Sequence, residues 1–236
     1  MRVKKVQNVY QLAFMPKMFP VNCYLVEEQD GLTLVDCALG FAARDIALAA
    51  KTIGKPITEI TLTHAHVDHV GSLDALKKQF PEAQVSISAR EAKILRGDSS
   101  ASPEDAGKPV KGGTPKNIQT APDRLLGEGD RVGSLEVVSS PGHSPGSISF
   151  FNRQTGVLIA GDAFQTRGGI AVSGTLKPLF PFPAMATWDK LTALHSAKKL
   201  TLLQPGFLAV GHGHMLEHPV RFMEQAIRDA EQKVKP

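Results

Sequence analysis

Between residues 57 and 69 the chain runs from Ile57-Thr58-Glu59-Ile60-Thr61-Leu62 into Thr63-His64-Ala65-His66-Val67-Asp68-His69. The first six residues have the β-branched content of a buried strand, so the residues after them stand on the turn that leaves it. His64 and His66 alternate on backbone that is still extended, point the same way and can share one ion. Asp68 and His69 follow where the turn tightens and can face a second. Imidazole and carboxylate are the ligands Zn²⁺ takes in catalytic sites, where one position stays open for water. Burying three histidines and an aspartate this close together without a cation would leave several polar groups unpaired. The stretch therefore reads as a metal site rather than as core or surface histidines.

The rest of the chain supplies strands and helices in alternation. Strands are expected at 3–12, at 21–27 and 32–36 as a hairpin, and at 85–87, 135–139, 147–151, 157–160 and 207–210. Helices are expected at 41–53, from Val70 to just before Pro81, and from a Ser88–Glu91 capping box to Gly97. Two more are expected, one over about 188–200 capped by Thr187, the other from Pro219 with Val220, Met223, Ile227 and Ala230 on one face. Residues 98–122 read as a long surface loop that could reach the mouth of the site, and 165–186 as irregular. This alternation points to an α/β fold with helices covering sheets.

At 236 residues, 42% of them hydrophobic, the chain can bury a substantial core, and a single domain over 1–236 is expected. A net charge of +4 is a mild basic bias, with no Lys/Arg stripe of the kind that tracks nucleic acid. No apolar run approaches a membrane span. Arg2, Lys4 and Lys5 are followed by Gln7, Asn8 and Gln11 rather than by an apolar signal segment, so a cytoplasmic location is expected. Cys23 and Cys37 flank the turn at 29–31 and could face each other across it. In a cytosolic chain they are expected to be two reduced core thiols rather than a disulfide. The expected partner is a small-molecule substrate, with no nucleic acid or membrane, and a homodimer is compatible with the sequence.

Three further candidate ligands, His143, Asp162 and His212, each end a strand beside glycine, where the backbone can bend sharply. With the first cluster they make seven, a set suited to two ions; His214 rivals His212. The order His64-x-His66-x-Asp68-His69, then His143, Asp162 and His212, with Asp36 after the early hairpin, resembles the metallo-β-lactamase superfamily. The resemblance spans nearly the whole chain. It implies a four-layer αββα sandwich (α/β, or α+β on some schemes) with the metals at one edge of the sheets. It further implies that His64, His66 and His143 hold a first zinc, that Asp68, His69 and His212 hold a second, and that Asp162 bridges them. Asp36 resembles the residue that buttresses the metal loop. His195 and His218 have no motif around them and read as structural.

Two zinc ions about 3.5–4 Å apart would share a hydroxide whose parent water titrates near ~7. Manganese or Fe²⁺ suits the same donors. Asp68, beside that nucleophile, is the expected proton carrier to the leaving group. Within the superfamily, the exported β-lactamases lack the full ligand set, and glyoxalase II adds a glutathione-binding helical region for which there is no length here. Acyl-homoserine lactonases match in size but place a tyrosine where this chain has Ala163-Phe164-Gln165. The expected activity is hydrolysis of an ester, lactone or thioester. The alternatives are a mononuclear iron enzyme resembling persulfide dioxygenases and a non-catalytic metal-binding module. The apolar loops 14–20 and 176–186 either line the mouth of a greasy pocket or pack on each other or on a second copy. On the first reading Met15, Met18, Phe19, Phe164, Phe180 and Phe182 contact substrate.

Overall fold

In the computed structural model, which describes residues 1–102, 105 and 107–234, two sheets pack face to face. The first follows chain order: β1 (Arg2–Val6), β2 (Val9–Phe14), β3 (Val21–Glu27), β4 (Leu32–Val35), β5 (Ile57–Thr61), β6 (Gln84–Ser88) and β7 (Arg124–Leu126). It is antiparallel as far as β4 and parallel from β4 to β7. Its parallel half is crossed over by α1 (Ala43–Ile53), α2 (Val67–Val70), α3 (Leu73–Gln79) and α4 (Ala89–Leu95). The second sheet comprises β8 (Arg131–Val132), β9 (Leu135–Ser139), β10 (Ile148–Asn152), β11 (Val157–Ile159), β14 (Phe207–Ala209) and β15 (Leu216–Glu217). Before β14 come the small hairpin β12 (Phe164–Gln165) and β13 (Ala171–Val172), then α5 (Phe182–Met185) and α6 (Lys190–Leu202); α7 (Val220–Val234) closes the fold.

Three apolar clusters mark the seams between four layers. Ile46, Leu73, Leu76 and Ile94 seal α1, α3 and α4 against the first sheet. Tyr24, Val26 and Val35 meet Val137, Ile148 and Phe150 between the sheets. Leu158 and Leu208 meet Ala197, Leu200, Met223 and Ile227 of α6 and α7. Each fully buried Leu, Ile or Phe contributes roughly 1.5–3 kcal/mol. This is the expected αββα sandwich.

Several local expectations change. The segment 3–12 is a hairpin rather than one strand: Gln7 takes φ 54°, and Asn8 donates from Nδ2 to Glu27 O at 3.1 Å. The helix expected from Val70 is broken, because Gly71 N–H leaves the helical ladder for Ala38 O at 2.9 Å. Asp189, not Thr187, caps α6, accepting Thr192 N–H at 2.8 Å, while the Thr187 hydroxyl donates to Pro183 O at 2.6 Å. The 165–186 stretch holds a two-stranded hairpin and the short α5. The Ser88 cap forms, but its intended partner Glu91 turns elsewhere. Cys23 and Cys37 are free and buried, and burial pushes both thiols up. Tyr24 pairs with Val35, so Cys37 lies beyond the end of the ladder, not opposite Cys23. Of the 98–122 loop, residues 103, 104 and 106 fall outside the described residues. Among the described residues no helix is long and apolar enough to cross a membrane.

Candidate metal centre

The candidate ligands meet because parallel strands end at one edge. Val35 of β4 pairs with Thr61 of β5, so Asp36 emerges beside Leu62 and Thr63. Ile159 of β11 pairs with Ala209 of β14, and Asp162 and His212 each lie three residues further on, at the same level. His64, His66, His69, His143, Asp162 and His212 are buried; Asp68 is partly so. Their ligand atoms fall into overlapping groups within 4.8 Å of one another: His64, His66 and His143; His64, His69 and Asp162; Asp68, His69 and His212.

Each histidine is held from behind by one ring nitrogen. Asp36 Oδ2 stands 2.9 Å from His69 Nδ1 and also accepts from the Thr63 hydroxyl at 2.8 Å; that hydroxyl lies 3.0 Å from His64 Nδ1. His143 Nδ1 meets Ser173 Oγ at 2.9 Å, and His212 Nδ1 donates to Pro20 O at 2.7 Å. His66 is reversed, donating from Nε2 to Lys111 O at 2.8 Å. With those protons committed outward, Nε2 of His64, His69, His143 and His212 and Nδ1 of His66 face the centre. Asp36 adopts φ 62° to reach its place, a left-handed conformation that aspartate tolerates better than most residues.

The centre's own chemistry suits a cation. His66 Nδ1 lies 3.1 Å from His64 Nε2 and 3.0 Å from His143 Nε2, three acceptors converging with their protons spent elsewhere. His69 Nε2 and Asp162 Oδ1 are buried without a hydrogen-bond partner among the described residues, 3.6 Å apart. Unpaired buried polar atoms are costly, and two at one centre call for a ligand between them. Burial lowers His64 well below the ordinary imidazole value, helped by His69, His66 and His143, and pushes His143 down to about 3. Burial also opposes charge on His69 and His212, but the nearby Asp162 and Asp68 carboxylates, with Asp36 for His69, raise both. Asp162 is held well below the carboxylate range against its burial by His212, His69 and His143. A cation and protons thus compete for the same nitrogens, and cation affinity falls as pH falls.

A cleft of about 440 Å³ opens over this centre, with Asp68 and Asp162 at its base and Phe19, Phe182, Pro183 and Met185 along one wall. The two apolar loops both pack together and wall the cleft: Phe19 lies 5.1 Å from both Phe180 and Phe182. The substrate-contact set needs correction. Phe180, 1% exposed, backs the wall against His212 instead of facing the cleft. Phe164 lies wholly in the core between the second sheet and its helices. Met15 and Met18 turn outward, the latter 82% exposed, because their loop folds back through Met18 N–H to Met15 O. The 98–122 loop does reach the mouth, at Gly112 and Gly113. Gly112 takes φ 90° against His66, whose Nε2 would lie 2.7 Å from an added Cβ.

His212, not His214, faces the cluster; the exposed His214 lies on a separate basic cavity with Arg2, Lys4 and Arg167. His195 and His218 are exposed away from the site. Sequence reasoning missed the Thr63 hydroxyl, Ser173, the Lys111 carbonyl and Glu91.

Residues 16–212 match the Metallo-beta-lactamase superfamily, and the chain belongs to that family. YobT of Bacillus subtilis strain 168, an uncharacterized protein, is 53% identical over 98% of this chain and 99% of its own length. The probable metallo-hydrolase YflN of the same organism is 30% identical, with 81% of this chain and 80% of YflN covered. The structure of TTHA1623 in a di-iron-bound form superposes with a TM-score of 0.65 at 26% identity, covering 89% of this chain and 96% of that one.

Proposed function

We propose that this chain is a dinuclear metal-dependent hydrolase of an ester, lactone or thioester. The position of Asp162 carries the reading. Its Oδ2 lies 3.3 Å from His143 Nε2 and 3.1 Å from His212 Nε2, between the three-histidine group and the Asp68–His69–His212 group. His64, His66 and His143 would hold one ion, Asp68, His69 and His212 the other, and Asp162 both. Zinc is the first assignment, with manganese or Fe²⁺ suited to the same nitrogen and oxygen donors. When bound, such ions supply Lewis acidity toward a carbonyl oxygen and lower the pKa of water toward ~7. The naming of YflN as a probable metallo-hydrolase supports the hydrolase reading, and the di-iron form of TTHA1623 supports a two-metal site.

The chain's own groups do the rest. Asp36, Lys111 O, Ser173 and Pro20 O fix the rings before any ligand arrives, so little reorganisation is needed. Asp68 is the half-open member of the set, lining the cleft 3.4 Å from His212 Nε2, where a carboxylate can take a proton and return it to the leaving group. Phe19, Phe182 and Met185 offer an apolar wall to an acyl chain and keep water from it.

The test is a panel of lactones, thioesters, esters and phosphodiesters, run beside oxygen uptake with persulfides. Carbonyl hydrolysis that improves with acyl-chain length is expected, and Asp68→Asn should lower kcat by roughly 100-fold or more. Oxygen consumption without hydrolysis would overturn the reading. Full turnover by an Asp68→Asn protein carrying both metals would remove Asp68 from the proton path.

A further inference from the structure

Glu91 is fully buried on the first turn of α4, outside the ligand set. Its Oε2 accepts the backbone N–H of Ala65 at 2.8 Å, the residue between His64 and His66. Its Oε1 accepts from Ser144 Oγ at 2.5 Å and from Gly146 N–H at 2.8 Å, in the loop that carries His143. Ser88, at the start of the same helix, adds a bond from Oγ to Gly146 O at 2.6 Å. The two loops belong to different sheets: 62–66 leaves β5 of the first, and 140–147 joins β9 to β10 of the second. A direct backbone bond, Ile148 N–H to Thr63 O at 3.0 Å, also joins them, on the N-terminal side of His64, whereas the Glu91 bond falls between His64 and His66. Glu91 holds the backbone between His64 and His66, and reaches the His143 arm through the Ser144 hydroxyl and the Gly146 N–H.

We infer that Glu91 is a positioning residue, bridging the two sheets to set the separation of the His64–His66 arm from the His143 arm and so the cation affinity of that three-histidine group. The inference rests on the dinuclear reading above. Its effect is one-sided. His69 is held by Asp36 and His212 by Pro20 O, and neither these two nor Asp68 bonds Glu91 among the described residues. Outer partners that orient ligands govern affinity because each ligand's direction must be fixed before the ion gains from it.

Glu91→Gln tests this with an isosteric change. The amide oxygen can still accept from Ser144 and Gly146, but the amide NH₂ would oppose the Ala65 N–H, donor against donor. Ser144→Ala removes a single donor and keeps the backbone. The proteins, stripped of metal and checked by thermal melting, are titrated with Co²⁺, and the visible spectrum resolves the two binding steps. Glu91→Gln is expected to weaken one step roughly 10–100-fold and leave the other unchanged, with a smaller change of the same kind in Ser144→Ala. Two unaltered steps in both variants, or equal weakening of both steps, would overturn the Glu91 assignment. If Glu91→Gln does not fold, Ser144→Ala decides alone. Uptake of a single cobalt by the wild-type chain would instead overturn the dinuclear reading.

Discussion

Gly211→Ala is expected to empty the candidate centre of metal while the two sheets stay paired. A Cβ at position 211 would land on Asp162 Oδ1 and lie 2.7 Å from His69 Cε1. The backbone cannot retreat: Gly211 N–H donates to Gly161 O at 2.8 Å, and Gly211 O accepts Asn22 N–H at 2.9 Å, pinning the residue to both neighbours. Asn22 and Tyr24 hold the adjoining carbonyl of Val210 at 2.8 and 2.6 Å. The methyl must therefore displace Asp162 or His69, whose Oδ1 and Nε2 atoms are buried without a hydrogen-bond partner among the described residues. Overpacking at such a spot costs about 1–3 kcal/mol, so the protein should still fold. Thermal unfolding and elemental analysis of one preparation check the two halves of the expectation, a modest loss of stability and a large loss of metal.

Asp162→Asn is expected to do by charge what Gly211→Ala does by bulk. The substitution keeps the shape of the side chain but turns one oxygen into an NH₂, which has no lone pair to offer a cation and can instead donate to the facing Nε2 of His69, His143 or His212. The negative charge that raises His69 and His212 goes with it. Turnover should fall by about 100-fold or more, beyond the effect of losing an outer partner, and metal content should fall below two per chain. Measurement of kcat with metal content on the same samples checks this. A variant with both metals and ordinary turnover would show that Asp162 does not join the two groups.

The candidate ligands were legible because ligand chemistry is dense in sequence there. His64, His66, Asp68 and His69 crowd one turn, and His143, Asp162 and His212 each follow a short apolar run beside a glycine. Asp36 was readable only through resemblance; it lies within bonding distance of His69 and accepts from Thr63. Glu91 was not legible. Ser88-x-x-Glu91 reads as a local capping pair, and nothing in that spacing says the carboxylate will leave its own helix for donors at 65, 144 and 146. The Lys111 carbonyl was hidden for the same reason, since a backbone group in a Gly- and Pro-rich loop carries no residue signature. Phe164 was misplaced because apolar character beside Asp162 does not say which way a strand's side chain points. One step along the chain moves it from cleft to core.

Elemental analysis of the protein, purified without added metal or chelator, tests the central claim most directly. Close to two zinc or manganese ions per chain is the predicted result. About one iron per chain would contradict it and direct the search to oxygen chemistry.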